Sequence, residues 1–243
     1  MTHHLPQTGV QVIASTDVAL MREDDEVSSY ARPPIDSTIL CDADGQVIDY
    51  GNRWDGSPPE DTYSVDTHPE RFAPLHTVAD ALIAYLRDAY DVEVEEGVEA
   101  AEDLLHAPYN EVVRAARIRP NDPTCASVTL VFTAYPGIYM HAGLLNDFHY
   151  PVCGCDACDS NWQAEADDLE RQVFAVVTGH YQETIERRDL TPWVGYAFTY
   201  PDGANSGGSG ERGIGAERLR AAEATLRNVS GPWAEWPSNA SPA

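Results

Sequence analysis

The stretch Val128–Ala142 constrains the fold more than any other part of the chain. Val128, Leu130, Phe132 and Ala134 alternate with Thr129, Val131, Thr133 and Tyr135; Pro136-Gly137 interrupts, and Ile138, Met140 and Ala142 resume opposite Tyr139 and His141. Side chains along a strand point to opposite faces with period two, so this pattern predicts two strands joined by a tight turn. Both faces of the first strand are fairly apolar, as in a sheet covered on both sides. A weaker strand, Val112–Arg119, precedes it and is closed by Pro120. A strong one follows, with Val194, Tyr196, Phe198 and Tyr200 alternating with Trp193, Gly195, Ala197 and Thr199.

Helical periodicity separates these strands. From Phe72 onward, Leu75, Val78, Leu82, Tyr85 or Leu86, and Ala89 share one face, with Pro74 in the first turn, which predicts a helix of about 17 residues. A very acidic segment, Asp91–Gly97, follows, and then a shorter helical piece, Glu99–His106, that ends at Pro108. Ser160 with Gln163 three residues on makes a capping-box start. Trp162, Ala166, Leu169, Val173, Val176, Val177, His180 and Ile185 then form an apolar stripe, so the second long helix is expected across 160–188.

The expected class is α+β: a mostly antiparallel sheet with two long helices packed on it, an irregular N-terminal arm and a zinc-knuckle-like loop. Residues 1–70 read as the arm, rich in Pro, Asp, Ser and Gly, with a small hairpin where Ile39-Leu40-Cys41 and Val47–Tyr50 flank Asp44-Gly45. Residues 71–200 form the main domain. Residues 201–243 hold a flexible Gly/Ser loop, a short helix from about Ala216 to Arg227 and a tail with Trp233 and Trp236.

Charge narrows the function classes. Fifteen basic residues, every one an Arg, face 40 acidic ones, for a net charge of −25. Such a chain is not built to grip a phosphate backbone, so direct nucleic-acid binding is not expected. No apolar run reaches the roughly 18 residues of a membrane helix. The stretch Met1–Met21 lacks the basic-then-apolar pattern of a secretory leader, so a cytoplasmic location without membrane contact is expected.

One local motif carries chemistry. Cys153, Cys155 and Cys158 are spaced C-x-C-x2-C, with His149 four residues before the first. Short spacings let thiolates converge on one metal, and structural zinc takes four tetrahedral ligands from thiolates and imidazoles. Gly154 eases the tight fold of the loop, and the following helix N-terminus favours negative charge there. Clustered cysteines in a reducing compartment read as metal or redox sites more often than as disulfides. The leading reading is a structural zinc held by Cys153, Cys155, Cys158 and His149. Cys125, Cys41 and His141 are alternative fourth ligands from elsewhere in the fold. A reversible dithiol, pairing Cys158 with Cys155 or Cys153, is the main rival, and inert loop residues are the bland one.

The stretch Pro151-Val152-Cys153-Gly154-Cys155-Asp156-Ala157-Cys158-Asp159 resembles an actinobacterial family of unknown function that carries this motif. Asp66–Phe72, Val131–Gly137 and Trp193–Tyr196 fit the same resemblance, which spans roughly residues 60–200. It implies no activity. The all-Arg composition, rich in Asp and Ala, agrees with a high-GC genome.

Other catalytic patterns fail. His68-Pro69-Glu70 and Cys155–Cys158 match a zinc deaminase in letters, but Gly154 stands where Pro is needed and a third Cys intrudes. No His-Glu-x-x-His, Gly-x-Ser-x-Gly or Walker loop occurs. Asp42-Ala43-Asp44-Gly45 suits a hairpin turn better than a calcium loop. His76, His141 and His180 sit singly on apolar-patterned elements and read as packing residues, and Tyr196, Phe198 and Tyr200 read as core before they read as a ligand groove. The best functional reading is therefore an acidic binding or accessory module with a structural zinc, not clearly an enzyme. An acidic immunity protein or antitoxin-like inhibitor of a basic partner is the first alternative, because a charge of −25 would steer such a partner onto it. A zinc-dependent hydrolase is the second.

Overall fold

The computed structural model describes residues 29–36, 38–188, 191–210 and 213–239; the start of the expected arm, residues 1–28, lies outside them. The class is α+β. Five strands form one antiparallel sheet in the order β1 (Val92–Glu96), β2 (Val112–Pro120), β3 (Val128–Thr133), β4 (Ile138–Ala142) and β5 (Asn146–Tyr150). Three more, β6 (Tyr181–Arg188), β7 (Thr191–Tyr200) and β8 (Gly203–Gly210), make a second. Among the described residues the α-helices are α1 (Pro74–Ala89), α2 (Trp162–Val177) and α3 (Ala216–Leu226).

The double apolar pattern of β3 has a structural cause. Val128, Leu130 and Phe132 enter the main core with α1 and α2, while Val131 packs on the other face with Ala100, Leu104 and Ala115. A 3-10 segment, Val98–Asp103, supplies that second cover, at the place where a helical piece was expected. Every residue of β3 is therefore buried. Register is set by the neighbours, with Leu130 opposite Ala116 and Met140.

Five expectations change. The acidic segment after α1 is strand β1, because Arg117 and Arg119 on β2 reach Glu95 at 2.8 and 2.9 Å and relieve the like charges. Asn146–Tyr150 is a fifth strand. The second helix stops at Val177, not 188: Gly179 takes φ 73°, and its N–H donates to Val176 O while the His180 N–H donates to Ala175 O. That is a Schellman stop, and Tyr181–Arg188 then runs as β6. The helix start is capped by Asn161, whose side chain accepts the Ala164 N–H at 2.9 Å. Finally, the Gly/Ser stretch is not a loop at 203–210 but strand β8, paired along its length with β7.

A Cβ at Gly179 would lie 2.9 Å from the Glu235 backbone N in addition to its positive φ. Gly179→Ala is expected to cost about 1–3 kcal/mol, read as a lower denaturation midpoint with unchanged slope. A cost near zero would show that the tail segment moves aside.

The expected arm packs on the body where it is described. Tyr30 sets its ring against Tyr85 and Phe174 and donates its hydroxyl to Glu170 at 2.6 Å. Arg32 donates to the same carboxylate. Cys41 and Val47 form the isolated bridge of the small hairpin. The tail also enters the core: Trp233 and Trp236 are buried, and the Trp236 indole donates to Ala126 O at 2.8 Å. Among the described residues no helix is long and apolar enough to cross a membrane.

Candidate metal centre

The cysteine loop links β5 to α2. The Tyr150–Pro151 peptide is cis, the Cys158 N–H donates to Cys155 O at 3.1 Å, and Asp159 adopts φ 54° just before the helix cap. This turn folds the three thiols onto one point. All three Sγ atoms lie within 4.8 Å of one another, with Cys153 and Cys155 3.4 Å apart, and none is in a disulfide. Thiolates about 2.3 Å from a tetrahedral zinc sit about 3.8 Å apart, so the spacing suits such an ion.

A clamp from the arm and the 3-10 turn Pro69–Phe72 just before α1 holds the loop. Arg71, its side chain 3% exposed, donates to Gly154 O at 2.7 Å, His68 O at 2.9 Å and Ser160 O at 3.1 Å. The Asp156 N–H donates to Val65 O and the Ala157 N–H to Thr62 O. The Asp156 carboxylate accepts from the backbone N–H and hydroxyl of Thr67. Arg53 donates its backbone N–H to Asp159 at 2.8 Å and lies over the rings of Tyr50 and Trp54. These bonds leave the three thiols, and one buried oxygen of Asp159, outside the clamp's hydrogen bonds.

The thiols share protons unequally. Burial alone would raise Cys155, but the Cys158 N–H and the neighbouring thiols donate to it and hold its pKa below the usual thiol value. Cys158, which donates to Cys153 and Cys155, is pushed up to about 12. A divalent cation would displace that proton and satisfy the sulfurs together.

Gly154 is required by contact: a Cβ there would lie 1.8 Å from the Tyr135 hydroxyl oxygen and 2.8 Å from its Cζ. Gly154→Ala is expected to displace the loop and weaken metal binding at least tenfold. Adding Tyr135→Phe should recover part of the loss, since it removes the nearer atom. Competition against a chromophoric chelator measures both. An additive double variant would mean that Tyr135 is not the obstacle.

The structure does not bring His149 into the converging group, which consists of Cys153, Cys155 and Cys158 among the described residues. It occupies β5 opposite Tyr139, ring centroids 4.5 Å apart, while the loop beyond Pro151 is held to Thr62 and Val65. The other candidates are engaged elsewhere. Cys125 donates to Glu235 O, and Cys41 is exposed in the hairpin. His141 is buried between Asp147, at 2.6 Å, and Arg218, at 3.1 Å. His68 bonds Glu70 and Cys41 O with its two ring nitrogens, away from the thiols. Sequence reasoning missed Arg53, Arg71 and Asp156 as the groups that fix the loop. The signal for two of them was the acidic residue after Cys155 and the Arg in Asp66–Phe72.

A family model described as "Family of unknown function (DUF6226)" matches residues 37–240. No curated protein and no solved structure matches the chain.

Proposed function

Because the chain belongs to the DUF6226 family of unknown function, we propose from the geometry that it is a cytoplasmic binding or accessory module whose Cys153, Cys155 and Cys158 hold one structural zinc ion. The observation that carries this reading is the convergence of three thiols, within 4.8 Å, on a loop held to the arm by Arg71 and Arg53. The donor set favours zinc over magnesium or calcium, which prefer oxygen ligands. The ion would close the β5–α2 connection on itself, between Cys153 and Cys158. His149 completes the set only by leaving Tyr139; a solvent ligand completes it without that movement. Three thiolates make the ion electron-rich and a weak Lewis acid, which argues against the zinc-dependent hydrolase reading. X-ray absorption at the zinc edge tests the ligand set: three sulfurs and one light atom are expected, and an oxygen-only shell would overturn it.

The net charge of −25 supports a second reading, an acidic inhibitor that captures a basic protein. Part of the acidic ridge on β1 is answered internally, by Arg117 and Arg119 at Glu95 and by Arg87 at Glu96, which leaves less field for a partner. A basic protein retained at low salt and released at high salt would favour it. The Cys motif and the use of Arg to the exclusion of Lys support an actinobacterial source.

A further inference from the structure

We propose that the cavity beside the cysteine loop binds a small hydroxylated amine. The cavity is about 240 Å³, and five elements meet there: Asp66 from the arm, Asn110 before β2, Tyr135 in the β3–β4 turn, Tyr139 on β4 and His149 on β5, with Gly154 of the cysteine loop closing one side. The inference rests on the binding-module reading and supplies its ligand class.

The Thr133 and Tyr150 hydroxyls of this lining are spent on the fold, on Tyr135 O and Gln172, but four other polar side chains are not. The Tyr135 hydroxyl is buried without a hydrogen bond; the Asp66 carboxylate faces it. Neither ring nitrogen of His149 and no atom of the Asn110 side chain has a hydrogen-bond partner among the described residues. Of these groups only the Tyr135 hydroxyl is buried, and buried polar groups in folded proteins are paired as a rule; Asp66, Asn110 and His149 are exposed to the cavity mouth. A concave site with aromatic walls and a few convergent polar groups is the usual form of a ligand pocket.

Charge selects the ligand. Asp66 is the one formally charged residue of the lining. No Arg lines the cavity, and Arg71, which acts on Tyr135, gives its donors to three backbone carbonyls, so the lining offers no cation to hold a phosphate or a carboxylate. A positive amine meets the Asp66 carboxylate and the aromatic ring of Tyr139. Hydroxyl groups meet Tyr135, Asn110 and the neutral imidazole, whose pKa burial holds below the usual histidine value. The volume is below the range of drug-sized pockets, which limits the ligand to a fragment such as an amino alcohol.

The test titrates full-length, metal-loaded protein with 2-aminoethanol and choline, using inorganic phosphate and acetate as controls, by saturation-transfer NMR and backbone shift mapping. The expected result is binding of at least one amine at millimolar concentration, with shifts at Tyr139 and His149, weakened at least tenfold in Asp66→Asn and His149→Ala. Because Asp66 is exposed and makes no ion pair, Asp66→Asn should fold normally, and its unchanged melting temperature is the control. No amine binding, equal binding of the anions, or binding that both variants leave intact would overturn the proposal. Metal content measured on the same sample separates the two readings: metal-loaded protein that ignores amines sinks this inference alone, and metal-free protein that still binds an amine upholds it while sinking the zinc centre.

Discussion

Cys153→Ser and Cys158→Ser are each expected to take the protein from about one zinc per chain to none and to lower its melting temperature by about 10 °C. The three sulfurs converge within 4.8 Å, and a serine hydroxyl in place of any thiolate removes the softest part of the donor set. Without the ion, the turn at Cys155–Cys158 loses its centre, and the clamp of Arg71, Arg53 and Asp156 must hold the loop alone. A loss of about 3–5 kcal/mol is in scale for a structural site, and about 2–4 °C per kcal/mol applies to a chain of this size. Chelation of the unmodified protein should reproduce the shift, and Cys125→Ser, remote from the cluster, should keep its metal. Elemental analysis and thermal unfolding under reducing conditions check this. Variants that retain metal and melting temperature would remove the zinc reading; metal-free protein with reversibly oxidising thiols would put the dithiol reading in its place.

Glu183→Ala should destabilise the fold by about 3–5 kcal/mol, through a different part of the molecule. Glu183 on β6 is 5% exposed and accepts from the Leu144 N–H at 3.1 Å, the Leu145 N–H at 2.9 Å, the Asn146 amide at 2.8 Å and the Trp233 indole at 3.1 Å. One carboxylate thus joins the β4–β5 turn, the second sheet and the C-terminal tail, and its removal takes an acceptor from four donors, of which the Asn146 amide keeps the Tyr181 hydroxyl. Burial is the largest influence on its pKa and raises it above the ordinary carboxylate value, against the pull of those donors. The folded state therefore holds this proton to higher pH than the unfolded chain, whose value is about 4.5. The resulting stability is complete below that value and is lost as pH rises through the folded pKa, after which it is level. Glu183→Gln has no such proton to lose, so its unfolding free energy should lack this decline, which begins as pH rises past about 4.5. Parallel pH profiles for the two proteins would refute the assignment.

The central strands, α1, α3 and the three candidate thiols were legible in the sequence, because each is a local pattern. Period two at Val128–Ala142 and period near 3.6 at Leu75–Leu86 need no knowledge of what lies opposite. The second helix shows the limit of such patterns. Val176, His180 and Ile185 continue a helical stripe on paper, yet Gly179 reverses the chain and the rest becomes β6. Thr178-Gly179 was the available signal, and it is weaker than the stripe it ends.

What the sequence by itself determined is the α+β class, the sheet's middle, and a loop able to present three sulfurs. The tertiary structure decided the rest. Gly203–Gly210 has almost no side chains to pattern, so only hydrogen bonding to β7 makes it a strand. Val92–Glu96 carries three acids that repel until Arg117, Arg119 and Arg87 come beside them. The clamp on the cysteine loop pairs Arg53 with Asp159 and Arg71 with Gly154, 106 and 83 positions apart. Periodicity is written in neighbouring residues, whereas backbone pairing and charge compensation depend on partners that only the folded chain brings within a few ångströms.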